Sequence, residues 1–176
     1  EHAGNPTHND HILSVLHVMY GVRENVHTNA GDNMRNSNQN VLSSLLKTAQ
    51  QGQVEIRSLL DTAMEPRLRC ALENQLREYE SIETEAQKIA HQRGWDLPEM
   101  DTAHRFLRDR IMRMKLGGQN TDSRIADLMI RMNTRGMISS MQQRNRMQEQ
   151  DTMVKILSQK LLDCENAGIR TMQTFL

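Results

Sequence analysis

The residues with the clearest chemical potential are the glutamates of the long helical stretches, because carboxylates can hold two metal ions inside a helical bundle. Such centres use one glutamate on each of two helices and a Glu-x-x-His unit on each of the other two. The sequence places Glu80 three residues before Glu83 and Glu165 three residues before Gly168, but the long helical stretches contain no Glu-x-x-His unit. We therefore assign no catalytic residue, no metal ligand and no cofactor.

Depth along the predicted helices also argues against a substitute metal site. Glu55 lies about ten residues before the turn near Pro66, whereas Glu83 lies about eighteen residues after it, so at ~1.5 Å per residue their depths differ by on the order of 13 Å. The residues level with Glu55 are Asn74 and Gln75. A polar layer is therefore expected at that depth, rather than a metal site.

The histidines and methionines offer weaker metal-binding patterns. His8, His11 and His17 could bind a transition metal if their segment folds, but we interpret them as solvated side chains. Five methionines have the soft thioether that copper(I) prefers: Met129, Met132, Met137, Met141 and Met147. Their helical spacing also fits a stripe facing the core, where methionine fills irregular gaps. Core packing is the interpretation we adopt.

The sequence contains no residue pattern typical of nucleophilic catalysis. Cys70 and Cys164 have neither CxxC nor CxxH spacing, and we predict that both are buried free thiols, with a single bridge between them as the alternative. There is no GxSxG motif and no glycine-rich phosphate loop. The sequence therefore does not favour an enzyme.

Composition restricts the fold class and the partners. A chain of 176 residues and 20.3 kDa fits one domain, and only 3% of its residues are aromatic, so we exclude an all-β fold. Lys plus Arg equals Asp plus Glu at 22 each, so no global field attracts nucleic acid or anionic lipid. The longest apolar stretch, residues 12–20, is too short to span a bilayer. A cytoplasmic helical protein with no membrane or nucleic-acid partner is expected.

Two regions differ in composition. Residues 1–33 hold five of the seven histidines and form a predicted arm, with a short amphipathic helix over residues 12–20. The helix carries five apolar residues at helical spacing, namely Ile12, Val15, Leu16, Met19 and Tyr20. Residues 34–176 form the predicted bundle. The apolar face of the arm needs a partner, either its own bundle or a neighbouring subunit.

Apolar periodicity and helix-ending residues predict four long helices over residues 38–63, 66–94, 121–145 and 151–175. Pro66 suits the first turn of the second helix, and Gly94 suits its end. An extra crossover helix is predicted over residues 101–116. The third and fourth helices are separated in the polar run 145–150, with one continuous helix as the alternative. The predicted fold is all-α, an antiparallel four-helix bundle of two hairpins joined by that crossover.

The core-facing positions of the last two helices can be predicted individually. On the third helix they are Ile125, Leu128, Met129, Met132, Gly136, Met137 and Met141. On the fourth they are Met153, Val154, Leu157, Leu161, Cys164, Gly168 and Met172. Around Gly136, next to Asn133, we expect a close helix crossing or a kink.

Charge is distributed unevenly along the bundle. Residues 73–101 hold eight acids and three bases, whereas residues 104–147 hold ten bases and three acids. We interpret the contrast as attraction that selects neighbouring helices on solvated faces. A basic strip for nucleic acid is the alternative, weakened because no aromatic residues interleave with the arginines.

Four segments carry a resemblance to a known group of proteins. They are LLKTAQQGQVEIRSLL, ENQLREYESIETEAQKI, RIADLMIRMNTRGMI and LSQKLLDCENAGIRTMQTFL. With them, residues 39–176 resemble small ferritin-like proteins of spore-forming Firmicutes, similar to spore coat protein F. The resemblance implies a ferritin-like four-helix core, coat or storage association, and no established reaction. It supplies no ligand positions.

These observations lead to a functional hypothesis. We expect a non-enzymatic structural or interaction protein that self-associates as a homo-oligomer, is related to the spore coat, and has another protein as a further assembly partner. The alternative is a metal-binding or oxidase-type ferritin-like protein with an irregular ligand set.

Overall fold

Four α-helices build the part of the chain that the structure describes. The structure is a computed structural model, and it describes residues 30–98, 121–145 and 151–176. The helices are α1 (Ala30–Leu60), α2 (Pro66–Arg93), α3 (Thr121–Asn145) and α4 (Thr152–Gln173). These three ranges contain no β-strand. The prediction of an all-α protein is confirmed.

The ends of α2 and α4 follow the expected local chemistry. Pro66 occupies the first turn of α2, where its missing N–H leaves no hydrogen bond unmade. Gly94 ends the same helix with φ 61°, and its N–H donates to the carbonyls of Ala90 and His91. Asp151 caps α4 by accepting hydrogen bonds from the N–H groups of Met153 and Val154.

The helix boundaries agree with the prediction except in α1. That helix begins at Ala30 and ends at Leu60, so it starts eight residues earlier and stops three earlier than predicted. Separate third and fourth helices are confirmed, because α3 and α4 are antiparallel neighbours; one continuous helix is therefore wrong. The predicted arm helix over 12–20 and the predicted crossover helix over 101–116 lie outside the described residues.

The helices form two hairpins that pack against each other. Helix α1 packs along α2 and α3 packs along α4, while α2 contacts α4 and α1 contacts α3. At one end of the bundle, Gln143 donates to Ser44, and the Asp151 N–H donates to Asn38 Oδ1 at 2.9 Å. At the other end, the Glu65 N–H donates to Asp122 Oδ1 at 3.2 Å. Helices α2 and α3 therefore run in the same direction, with the end of α2 and the start of α3 at opposite ends of the bundle.

The core is aliphatic, and its seam on α3 differs from the prediction. The buried positions of α3 are Ile125, Ala126, Met129, Asn133 and Ser140. Met132 and Met137 are partly buried, and Met141 is 41% exposed. The seam therefore passes through Asn133 and Ser140, and the methionines lie beside it. The prediction assigned apolar residues to the core. It fails here because polar side chains occupy part of the buried seam.

A similar correction applies at the start of α4. Met153 is 46% exposed, although it was predicted to face the core. The neighbouring Val154 is buried instead, and it begins a seam that continues through Leu157, Leu161, Cys164 and Gly168. Met153 lies one position away from that seam, about 100° around the helix.

The charge contrast does not pair α2 with α3. Among the described residues, α2 pairs through Glu80 with Arg57 of α1 at 2.7 Å and through Glu85 with Lys160 of α4 at 2.5 Å, and Arg93 of α2 pairs with Asp151 at the start of α4 at 2.7 Å. Helices α2 and α3 are diagonal in the bundle, with α1 and α4 between them. The direct α2–α3 contacts that the structure shows are hydrogen bonds, such as the one from Gln75 to Asn133, and the bases of residues 105–115 lie outside the described residues.

Candidate functional site

Four polar side chains meet in the interior halfway along the bundle. We call Gln75, Tyr79, Asn133 and Glu165 the midplane layer; each is at most 6% exposed. Gln75 Nε2 donates to Asn133 Oδ1 at 2.8 Å and to the Tyr79 hydroxyl at 3.2 Å. The Tyr79 hydroxyl donates to Asn133 Oδ1 at 3.2 Å. The layer thus ties α2 to α3 by hydrogen bonds across the core.

Helix α1 adds a second polar group beside the layer. Gln53 Nε2 donates to Glu83 Oε2 at 2.5 Å and Gln50 Nε2 donates to Glu83 Oε1 at 2.8 Å. Glu55 is 5% exposed and accepts a hydrogen bond from Gln51 at 3.1 Å. Glu83 therefore lies level with residues 50–53 of α1, about one helical turn from the level of Glu55, which is closer than the predicted separation.

A polar layer is present, but its register differs from the prediction. Gln75 is buried as expected and Asn74 is exposed, while the contacts of Gln53 with Tyr79 and of Arg57 with Glu80 place Glu55 about one turn of α2 beyond Gln75. Asn133 and Glu165 complete the layer from α3 and α4. The sequence contained the signal for them, since Asn133 and Glu165 both occur at helical spacing within an apolar seam.

Three glycines make room for the layer. The backbone of Gly136 lies against the Glu165 carboxyl, and a Cβ at position 136 would overlap Oε1. A Cβ on Gly168 would overlap Asn133 Nδ2 and come within 2.6 Å of Gln75 Nε2. A Cβ on Gly52 would reach within 2.6 Å of Tyr79 Cζ. The expected close crossing at Gly136 is therefore present, and it accommodates a buried acid.

Glu165 is the electrostatic centre of the layer. Burial raises the pKa of its carboxyl from the ordinary 4.5 to about 8, the nearby Tyr79 hydroxyl lowers the pKa in part, and the negative charge of Glu55 raises it. Glu165 is consequently a neutral acid at neutral pH. In that form it can donate a proton or a hydrogen bond, which an ionised glutamate cannot do.

The pKa of Tyr79 is also raised. Burial raises the pKa of the phenol well above its ordinary value of 10.0, and the neighbouring Glu165 and Cys164 raise it further. The phenol therefore remains protonated throughout the physiological range, and it acts in the layer as a fixed hydrogen-bond donor and acceptor.

Three buried polar atoms of the layer have no hydrogen-bond partner in the described structure. They are Gln75 Oε1, Asn133 Nδ2 and Glu165 Oε2. Buried polar groups are nearly always satisfied, because an unmade bond costs about 1–3 kcal/mol. The set comprises an amide acceptor, an amide donor and a carboxyl oxygen.

A cleft between α2 and α4 reaches this layer. Its volume is about 370 Å³, and Gln75 and Gly168 belong both to the cleft wall and to the surroundings of the layer. The apolar part of the wall is formed by Ala71, Cys164, Ala167, Met172 and Phe175. Arg67, Asn74, Glu78 and Thr171 add polar groups. The cleft is therefore mainly apolar, with a polar amide in its wall.

The two cysteines are both free thiols, but only one is buried. Cys164 is buried, and burial raises the pKa of its thiol from 9.0 to about 12, with the charges of Glu165 and Glu78 adding to the effect and Lys160 opposing it. Cys70 is exposed, so its predicted burial is wrong. Position 70 lies outside the α2 seam of Leu68 and Leu72. Cys164 is a thiol at neutral pH and is a poor nucleophile.

The side chains considered as metal ligands do not come together as a metal site in the described part of the chain. Residues 35–98, 121–145 and 151–176 contain no group of three His, Cys, Asp or Glu side chains suited to one metal ion. His8, His11, His17 and Met147 lie outside the described residues, as does a Glu-x-x-His spacing at Glu24. Of the methionines on α3, Met129 is fully buried, as core packing predicts.

No helix within the described ranges combines the length and the apolar character needed to cross a bilayer.

Comparisons with known proteins bear on the fold alone. No protein-family model matches the chain, and no curated protein matches it. Among solved structures, the chain is similar to the crystal structure of a DUF305 fragment from Deinococcus radiodurans, with a TM-score of 0.62 and 14% sequence identity. The match covers 78% of this chain and 93% of the fragment. This similarity shows that the two chains share a helical fold.

Proposed function

We propose that the protein is a non-enzymatic, self-associating interaction protein that forms homo-oligomers. The observation that carries this proposal is the exposure of four large apolar side chains near one end of the α3–α4 hairpin, which we call the apolar end patch. Its members are Ile138, Met141, Met153 and Ile156, between 41% and 57% exposed. Large apolar side chains grouped on a surface are typical of protein interaction sites.

All four side chains lie at the same end of one hairpin. Ile138 and Met141 belong to the last two turns of α3, and Met153 and Ile156 belong to the first two turns of α4. Because α3 and α4 are antiparallel neighbours, these turns lie at the same end of the bundle. Bringing another apolar surface against them would remove several side chains from water at about 25 cal/mol per Å².

A second copy of the chain is the occupant that we propose. An isologous dimer joins the same patch on both subunits, and an apolar patch is complementary to itself without any matching charge. The net charge is zero, with 22 basic and 22 acidic residues, so copies do not repel each other strongly.

The topology of the bundle is part of the same proposal. Helices α2 and α3 point in the same direction, so the end of α2 and the start of α3 lie at opposite ends of the bundle. One long crossover between two antiparallel hairpins is the connectivity of ferritin-like folds. The arrangement of the helix ends is compatible with that connectivity and supports a ferritin-like assembly protein, which we propose to be cytoplasmic and, from the resemblance in sequence, associated with the spore coat.

The oligomeric state of the full chain tests the proposal. Light scattering coupled to size exclusion, at several concentrations, is expected to give a dimer or larger species. Ile156→Glu is expected to shift that species toward monomer, while Gln159→Glu, which adds the same charge to an exposed position of α4, leaves it unchanged. A strict monomer at every concentration, or equal behaviour of both variants and the parent, contradicts the proposal.

Metal binding is a second candidate function, and one observation favours it. Glu55 and Glu165 are two buried carboxylates close enough for the charge of one to raise the pKa of the other. Oxygen ligands of this kind suit hard cations, and iron or manganese would define the oxidase-type alternative. Elemental analysis of untagged protein tests it: stoichiometric metal that disappears in Glu165→Gln supports metal binding, and metal-free protein excludes it.

A further inference from the structure

The cleft between α2 and α4 has the dimensions and chemistry of a small-molecule site. Its volume of about 370 Å³ falls within the range of about 300–1,000 Å³ that is usual for ligand pockets. Such pockets are mainly apolar, with a few polar groups that orient the ligand. The wall formed by Ala71, Met172 and Phe175 provides the apolar part.

The polar part is supplied by the midplane layer. Gln75 lines the cleft, and its Oε1 has no hydrogen-bond partner because its Nε2 is already directed to Asn133 and Tyr79. Asn133 Nδ2 also lacks a partner, and it packs against Gly168, the residue of the cleft wall that has no side chain. Asn133 is 1% exposed and Gln75 6% exposed.

The two buried atoms without hydrogen-bond partners indicate which chemical group of a ligand could bind to them. Gln75 Oε1 requires a donor and Asn133 Nδ2 requires an acceptor. A buried water supplies both, but a single water occupies only about 30 Å³ and leaves the apolar wall of a much larger cleft in contact with solvent. The wall also carries one charge of each sign, Arg67 and Glu78, and therefore has no preference for an anion or a cation.

From this arrangement, we infer that the cleft binds a small neutral amphiphile, whose polar head both donates and accepts hydrogen bonds and whose apolar body lies against Met172 and Phe175. A primary amide on an aromatic or aliphatic body has that chemistry. The site is separate from the apolar end patch, so it is independent of the proposed self-association.

Benzamide is a suitable probe, with toluene and benzoate as matched controls. Toluene has a similar apolar body without the amide, and benzoate replaces the amide by a charge. Titration of the full chain, followed by chemical-shift changes, is expected to show saturable benzamide binding. Toluene and benzoate are expected to bind about tenfold more weakly, since they leave the buried amides unsatisfied or bury an unpaired charge.

Two tryptophan variants locate the site. Thr171 is an exposed residue of the cleft wall, so Thr171→Trp can fill the cleft without altering the core. Gln173 is exposed on the same helix and does not line the cleft, so Gln173→Trp is the control. Circular dichroism verifies that both variants remain helical.

Loss of benzamide binding in Thr171→Trp, with retention in Gln173→Trp, supports the inference. Three outcomes overturn it: no saturable benzamide binding to the parent protein, equal binding by both variants, or toluene binding as tightly as benzamide. The last result would identify an apolar cavity whose buried amides are satisfied by water alone.

Discussion

Glu165 on α4 is seated directly against the backbone of Gly136 on α3, with no space for a Cβ between them. A glycine inside a helix is ordinarily unfavourable by about 0.5–1 kcal/mol relative to alanine, because it loses more conformational freedom on folding. Here the missing side chain lets a glutamate enter the core. The local cost of the glycine therefore permits a tertiary contact that no other residue would allow.

Gly136→Ala is expected to destabilise the protein, although alanine favours the helix. Overpacking a filled core costs about 1–3 kcal/mol and the propensity gain is about 1 kcal/mol, so we expect a net loss of up to about 2 kcal/mol. Urea unfolding followed by circular dichroism measures it. Gln142→Ala, at an exposed position of α3, is expected to change stability by less than about 0.5 kcal/mol.

A double-mutant cycle tests whether Glu165 is the cause. In a Glu165→Ala background, the added Cβ has room, so Gly136→Ala should lose its cost or become stabilising. An undiminished cost in that background would mean that some other neighbour of Gly136 is responsible.

Stability is expected to fall as pH rises toward the pKa of Glu165. The carboxyl titrates near 4.5 when unfolded and near 8 when folded, so the folded state binds more protons between these values. The free energy of unfolding should decrease between about pH 4.5 and 8, by on the order of 5 kcal/mol in total, and this group adds no further slope outside that range.

Chemical denaturation at a series of pH values checks this slope. Glu165→Gln cannot ionise and is expected to flatten the pH dependence between about pH 5 and 8. Glu78→Gln, at an exposed position of α2, serves as the control and should leave it unchanged. The same slope in parent and Glu165→Gln proteins would show that another group dominates the titration.

Tyr79→Phe should widen the pH range over which stability falls. The tyrosine hydroxyl lowers the pKa of Glu165, so removing it leaves burial and the charge of Glu55 to raise the pKa above about 8. The upper limit of the slope is expected to move to higher pH. The same denaturation series measures it, and an unmoved or lowered limit would argue against an interaction of the hydroxyl with Glu165.

Thiol labelling should distinguish the two cysteines. Cys70 is exposed, whereas Cys164 is buried with a pKa of about 12, so the native protein should react rapidly with one equivalent of iodoacetamide and the unfolded protein with two. Mass spectrometry locates the label. In Cys70→Ser, rapid labelling should disappear; persistent rapid modification of Cys164 would mean that the α2–α4 contact opens readily.

Helix positions were predictable because they depend on short-range chemistry. Pro66 and Gly94 bound α2 through properties of their own backbones, and Asp151 caps α4 through contacts two and three residues away. The aliphatic stripe of α1 could likewise be predicted from the spacing of its apolar residues. Such signals need no knowledge of which helices are neighbours.

The apolar pattern of the sequence predicted the wrong buried residues where polar side chains occupy the core. Met141 was predicted to be inside because methionine is apolar, yet Ser140 is the buried residue. A polar side chain enters a seam only when a partner on another helix satisfies it, and Asn133 has such a partner in Gln75, 58 residues away. Periodicity within one helix contains no information about that partner.

The amino-acid sequence by itself determined the four helices, the ends of α2 and the start of α4, and most of their apolar faces, since these follow from backbone preferences and from the 3.6-residue repeat. Only the tertiary structure decided that Glu165 meets Gly136, that Gln75 and Asn133 share a hydrogen bond, and that a cleft lies over them. The physical reason is distance along the chain. Burial of a polar group becomes favourable only when separate helices bring its hydrogen-bond partners and the space for it together.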